Sequence, residues 1–227
     1  MSRSTRIVIL GTGGNSVDIL DTINDINGGS STPVYECLGF LDDNESLRGK
    51  CILGIEVLGP LEKARLLQDC FFVNGIGAPN NFWKKEAIIA KTGAPLDRFA
   101  TIMHPSASVS RTAALGRGVV VFQHVVITSN VRVGNHVIIL PNTVISHDDV
   151  VGDYTCVAGG VCVSGQTTIG RSCYLGTNCT VVGNIEVGDR CLIGMASCVL
   201  RSVPPNSVVV GNPARFLRHT VDLPGLV

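Results

Sequence analysis

His147 stands in the run Ile145-Ser-His-Asp-Asp-Val-Val-Gly152, and an imidazole followed directly by a carboxylate is the minimum equipment for a general base. The carboxylate of Asp148 would fix the imidazole tautomer and stabilise the imidazolium that forms. Such a pair can take a proton from an amine or hydroxyl as it attacks an acyl carbonyl, with a backbone N–H aimed at the developing oxyanion. Cys156 and Cys162 follow closely, but both fit as packing residues and neither has an evident activating partner, so direct attack is expected over an acyl-cysteine route. A second constellation lies near the start. Gly11-Thr-Gly-Gly-Asn-Ser16 follows the apolar run Arg6-Ile-Val-Ile-Leu10 and opens a helical pattern through Val17, Ile19, Leu20 and Ile23. A glycine-rich turn into a helix N-terminus presents backbone N–H groups to an anion, which suits a diphosphate. Ser16 stands where a dinucleotide fingerprint has its third glycine, so a nicotinamide cofactor is not expected.

The elements that must position His147 are written in a six-residue period. Val109, Leu115, Val121, Ile127 and every sixth residue onward to Val199 are aliphatic, sixteen in succession. Four residues after each come mostly small or β-branched side chains such as Ala113, Val131, Thr143, Thr155, Cys173 and Ser197, with Asp149 the misfit. One residue after the aliphatic, Gly116, Gly134, Gly152, Gly170 and Gly188 recur every eighteen, where corners are expected to need glycine's conformational freedom. Three hexads then close one triangular coil, and coils stack at roughly 4.8 Å into a parallel β-helix. His124, His136 and His147 fall at outward-facing slots. Of nine cysteines, Cys156, Cys162, Cys173, Cys179, Cys191 and Cys198 occupy repeat positions that want a small apolar side chain, as reduced core cysteines would.

The first hundred residues follow a different grammar. Strands near 6–10, 34–41, 71–76 and 98–102 alternate with helices after Gly13, near 60–68 and near 80–91, which is the order of a small Rossmann-like parallel sheet. Ligands of such sheets sit at the carboxyl ends of the strands. There Gly11, Gly13, Gly14 and Asn15, the pair Asp42 and Asp43, and Gly77 converge, the two aspartates being placed to accept hydrogen bonds from a base or ribose. The fold expected is therefore an α/β domain over 1–103 with a crevice suited to a nucleotide, followed by a β-helix domain with C-terminal tail over 104–227. At 227 residues with 45% hydrophobic side chains, two modest cores fit. Zero net charge gives no reason to expect a nucleic acid or membrane partner, and without a signal peptide or a spanning apolar run the protein is expected in the cytoplasm.

The glycine loop, Ile102-Met-His-Pro-Ser-Ala107, the hexads containing Ile-Ser-His-Asp, and Val203-Pro-Pro-Asn-Ser-Val-Val-Val-Gly-Asn-Pro-Ala-Arg215 together resemble the bacterial sugar acetyltransferases of the PglD/NeuD group. The resemblance covers essentially the whole chain. It implies a left-handed β-helix, a homotrimer with active sites at subunit interfaces, and transfer of acetyl from acetyl-CoA to the amino group of a nucleotide-linked 4-amino-4,6-dideoxy sugar. It also implies that His147 is the base oriented by Asp148, that the glycine loop and the aspartate pair line the sugar-nucleotide site, and that no metal takes part. Acetyl-CoA would run past Gly159, Gly160, Gly176 and Gly183 with its adenine end towards Asn212 and Pro213. The chain departs from the group in having Asn15 after the glycine pair and Cys156 where several members carry a second histidine.

Three alternatives are weighed beside it. An O-acetyltransferase acting on a sugar hydroxyl such as that of sialic acid would use the same base. A metal hydratase like the γ-class carbonic anhydrases needs histidines stacked on neighbouring coils, whereas the spacings here are twelve and eleven. A non-catalytic nucleotide-sugar binder would leave His147 and Asp148 without a task.

Overall fold

The computed structural model describes residues 4–220; the last part of the expected C-terminal tail, 221–227, lies outside the described residues. In the first domain, β1 (Thr5–Leu10), α1 (Gly14–Gly28), β2 (Tyr35–Leu41), β3 (Cys51–Ile52), β4 (Ile55–Gly59), β5 (Phe71–Asn74) and α2 (Lys85–Ala90) succeed one another. The sheet runs β3-β4-β2-β1-β5, with all neighbours parallel except the β3–β4 hairpin. That hairpin was not expected from sequence. Its turn residues Leu53 and Gly54 both take positive φ, the geometry of the tightest hairpin loops. The expected helix near 60–68 is a 3-10 helix over Leu61–Leu66, and that near 80–91 divides into a 3-10 turn over Phe82–Lys84 and α2. The strand expected near 98–102 also divides: Phe99 bridges Phe72, whereas β6 (Ile102–Met103) already belongs to the β-helix.

From β7 (Ser108–Val109) to β22 (Cys198–Val199) the chain makes a two-residue strand in every hexad. Each pairs in parallel with the strand eighteen residues away, as Ile127 with Ile145 and Ile145 with Val163. Three stacked sheets result, one of them completed by β23 (Ser207–Val210) and the antiparallel β24 (Arg215–His219). The repeated aliphatics and the small residues four places on fill the interior as one column-like core. Burying each such side chain contributes roughly 1.5–3 kcal/mol, which is what offsets the entropy of ordering so many short strands.

The corners are built differently from expectation. The residue three places after the aliphatic carries the left-handed backbone: His124, Asn130, His136, Asn142, Asp148, Tyr154 and Gln166 have φ between 56° and 63°. The recurring glycines do not. They are required because coils approach closely there: a Cβ on Gly152 would stand 2.6 Å from the Arg171 nitrogen, and one on Gly188 2.6 Å from that of Pro205.

The two domains share a core. Ile7, Ile9, Ile19 and Ile23 of the sheet and α1 pack with Ile102, Val120, Phe122 and Ile138 on one outer face of the β-helix. His136, expected to face outward, points away from the prism but is covered by the first domain. It is 3% exposed, stacked on Tyr154 and met edge-on by Phe99. Burial pushes its imidazole down to about 4, with the nearby Lys85 charge acting the same way, so it is neutral in the fold. The cysteines divide likewise. Cys173, Cys179 and Cys191 are interior, whereas Cys162 is exposed, Cys198 half-buried and Cys156 turned towards the first domain. These last three occupy the slot just before the aliphatic, and alternation along a strand sends that side chain out.

Candidate active site

The corner between β13 (Val144–Ile145) and β14 (Val150–Val151) carries His147 and Asp148. Asp148 takes the left-handed conformation, which aspartate tolerates better than most residues, and this turns its carboxylate beside the imidazole. His147 Nδ1 and Asp148 Oδ2 are 2.9 Å apart, and Asn130 Nδ2, one coil earlier, donates to Asp148 Oδ1 at 3.1 Å. The hydrogen bonds from His147 and then Asn130 hold the Asp148 carboxyl below its ordinary range. With Nδ1 on the carboxylate, Nε2 keeps its lone pair for a substrate proton. Both side chains are about half exposed, at 58% and 44%.

The Nε2 side of the ring lies over Gly165, one coil on. A Cβ there would stand 2.6 Å from Nε2, and a Cβ on Gly183, a further coil on, would stand 2.7 Å from the Gly165 carbonyl oxygen. The same slot one coil later holds Arg201, which lines a cavity of about 480 Å³ with Pro213, Arg215 and Phe216 at the C-terminal end. Three coils separate His147 from Arg201, roughly 14 Å. A bare glycine track therefore runs from the His147 imidazole to two guanidinium groups. Gly165 and Arg201 were missed in sequence, although counting in eighteens from His147 finds both. Gly165 does not take positive φ, so Gly165→Ala should fold while its methyl displaces the imidazole. The expected outcome in steady-state kinetics is a fall in kcat of about 10–100-fold with unchanged far-UV circular dichroism.

The glycine-loop residues come together as expected. Gly11, Gly13, Gly14, Asn15, Asp42, Asp43 and Gly77 line one cavity of about 530 Å³, closed on the other side by Leu140 and Tyr174 of the β-helix. Gly11 adopts φ +88°, and a Cβ there would stand 2.7 Å from Ile76; at Gly75 it would run into Ser16, so the serine fills the space against which the loop closes. Asn15 Nδ2 donates to the Gly77 carbonyl at 3.2 Å, tying the first loop to the third. The N-terminal turn of α1 opens into this cavity.

The aspartates are less free than their sequence suggests. Asp42 accepts from Thr12 Oγ1 at 2.6 Å and from the Asn44 N–H at 2.9 Å; Asp43 accepts from the Leu61 N–H at 3.0 Å and from Lys91 at 2.6 Å. Burial raises the Asp43 carboxyl, but the bonds from Lys91 and Leu61 outweigh it and leave the group below its ordinary range. Each oxygen has one partner already and one lone pair left.

Of the remaining expected residues, Gly183 shares the His147 track. Gly159, Gly160 and Gly176 lie on the next edge of the prism, after β15 (Cys156–Val157) and β18 (Tyr174–Leu175). Pro213 lines the C-terminal cavity, with Asn212 preceding it. Among the described residues no group of three or more histidines, cysteines or carboxylates gathers to hold a metal ion, and no helix is long and apolar enough to cross a membrane.

Residues 6–89 match the PglD N-terminal domain family. No curated protein matches the chain. Among solved structures, the acetyltransferase domain of PglB from Neisseria gonorrhoeae FA1090 in complex with acetyl coenzyme A is similar at 24% identity, over 95% of this chain and 100% of that one, with a TM-score of 0.80. PerB from Caulobacter crescentus, in complex with CoA and GDP-perosamine, is similar at 22% identity over 93% and 97% of the two chains, with a TM-score of 0.79. WeeI from Acinetobacter baumannii AYE is similar at 24% identity over 94% and 100%, with a TM-score of 0.79. The chain thus has the fold of these proteins along more than nine-tenths of its length, a PglD-type N-terminal domain followed by a left-handed parallel β-helix.

Proposed function

We propose that this protein transfers acetyl from acetyl-CoA to the amino group of a nucleotide-linked 4-amino-4,6-dideoxy sugar. The observation that carries the reading is the His147–Asp148 pair at the head of the Gly165–Gly183–Arg201 track, in a chain whose other domain offers a glycine-loop cavity. The track would hold the pantetheine arm, with Arg201 and Arg215 near the phosphates and Asn212 and Pro213 near the adenine. Gly11, Gly13, Gly14 and the first turn of α1 would take the diphosphate, and the spare lone pairs of Asp42 and Asp43 would take ribose or base donors.

His147 Nε2 removes a proton from the sugar amine as the nitrogen attacks the thioester carbonyl, and Asp148 stabilises the imidazolium that results. The imidazolium can then return a proton to the departing thiolate. No enzyme nucleophile is needed, and the exposed position of His147 leaves room for two substrates to meet there. His147 stands at the corner opposite the sheet face that packs on the first domain and closes the glycine-loop cavity, and Gly159, Gly160 and Gly176 lie along a different edge of the prism. A cytoplasmic homotrimer would bring the base of one subunit to the cavity and glycine edge of another. PerB in complex with CoA and GDP-perosamine, and the PglB acetyltransferase domain in complex with acetyl coenzyme A, support this reading on the same fold. The test is thioester cleavage that requires a nucleotide-linked amino sugar; cleavage at the same rate without any acceptor would contradict the proposal.

A further inference from the structure

Lys85 is a fully buried amine that the acetyl-transfer chemistry does not use. It sits on α2 at 0% exposure, and its Nζ lies 3.4 Å from the Sγ of Cys156, which is 4% exposed on β15. Among the described residues no carboxylate pairs with this amine. Burial holds it below the ordinary lysine range, against the opposing influence of the Cys156 sulfur. The contact joins the two domains, α2 from the first and a β-helix coil from the second. It lies just behind the floor of the glycine-loop cavity. A Cβ on Gly77 would run into Cys156 Sγ and come within 3.7 Å of Lys85 Nζ, and Tyr174, the strand neighbour of Cys156, lines the same cavity.

We propose that Lys85 and Cys156 form an oxidant-responsive pair that closes a sulfenamide bond between the two domains when the protein meets hydrogen peroxide. The cavity brings a small oxidant to the Gly77 floor. The sulfur attacks the peroxide O–O bond, giving a sulfenic acid and one water, and sulfur is oxidised by two electrons as peroxide is reduced. The Lys85 nitrogen then attacks that sulfur, the S–O bond breaks, and the departing hydroxide leaves as a second water with a proton from the amine. Thiol, amine and one peroxide thus give one S–N bond and two waters. The second step uses the amine without its extra proton, a form that burial favours, and the 3.4 Å contact already sets the nitrogen against the sulfur. Exposed Cys51 and Cys162 have no side-chain amine within hydrogen-bonding distance among the described residues, so their oxidation takes another course.

The test is independent of acetyl transfer. The purified protein is treated with hydrogen peroxide, digested, and its peptides weighed before and after a thiol reductant. The expected result is a species joining the Lys85 and Cys156 peptides at their summed mass less two hydrogens. It should revert to free amine and free thiol on reduction and be absent from Lys85→Met and from Cys156→Ala. Because reversal is read in the unmodified sequence, misfolding of either variant would not blunt the result. Recovery of Cys156 as thiol or sulfinic acid beside unmodified Lys85, while Cys51 and Cys162 are oxidised, would overturn the proposal.

Discussion

His147→Ala is expected to lower kcat for the proposed acetyl transfer by about 10²–10⁴-fold, the range that removal of a positioned general base commands. The side chain is more than half exposed, makes no contact with the prism interior and ends on a glycine, so its loss should leave folding untouched. Binding of acetyl-CoA and of the sugar nucleotide should persist, since neither the glycine loop nor the Arg201 cavity involves the ring. The loss therefore belongs in kcat more than in KM. Steady-state kinetics on both substrates, with equilibrium binding of each to the variant, checks this. A variant that turns over within ten-fold of the natural protein would mean that another group takes the proton.

The second large effect concerns Asp149, one residue beyond the pair. Its slot is the interior one filled by Thr143, Thr155 and Thr167 in other hexads. Those hydroxyls donate to a carbonyl of the next coil, and Thr155 also accepts the Cys173 N–H. Asp149 keeps the accepting half: its Oδ1 takes the Thr167 N–H at 2.8 Å. Its Oδ2 is buried with no partner. Burial pushes the carboxyl up to about 6 from an ordinary 3.8, despite hydrogen bonds from Thr167 and Ser146 that favour the ion. A carboxyl with a raised folded-state value is harmless below pH 4 and costs stability progressively as pH rises from 4 through 6. The difference is on the order of 3 kcal/mol at full ionisation. Asp149→Thr should accordingly raise the free energy of unfolding by about 2–3 kcal/mol at pH 8 and by little at pH 4. Urea titrations at the two pH values read the difference directly, and an equal effect at both would exclude ionisation as its source.

Asp149 was visible in the sequence as the one charged residue in a row of small or β-branched side chains, because a strict hexad repeat fixes which side chains face inward. The same regularity made the β-helix, its coil spacing and the exposed corner of His147 legible without coordinates. The error over the glycines came from assigning a φ requirement to a slot whose requirement is close approach; spacing alone does not separate the two. The cysteines show a similar limit: a small apolar residue suits both the interior slot and a packed outer one, and only the alternation along each strand tells Cys173 from Cys156 or Cys162. In the first domain the loops were placed correctly at one cavity because strand ends of a parallel sheet converge whatever their sequence. The partners of Asp42 and Asp43 were hidden, since Thr12, Leu61 and Lys91 reach them across the fold. Nothing in the order of residues sets Lys85 against Cys156, seventy-one positions away. That contact depends on how the whole first domain lies on the prism.

The most direct measurement is CoA release from acetyl-CoA with a panel of UDP-, dTDP- and GDP-linked 4-amino-4,6-dideoxy sugars, with sialic acid as a hydroxyl acceptor beside them. Release that depends on one of the nucleotide-linked amino sugars, with that sugar gaining one acetyl group on nitrogen, is the expected result. Release with sialic acid alone, or with no acceptor in the panel, would contradict amino-sugar acetylation at His147.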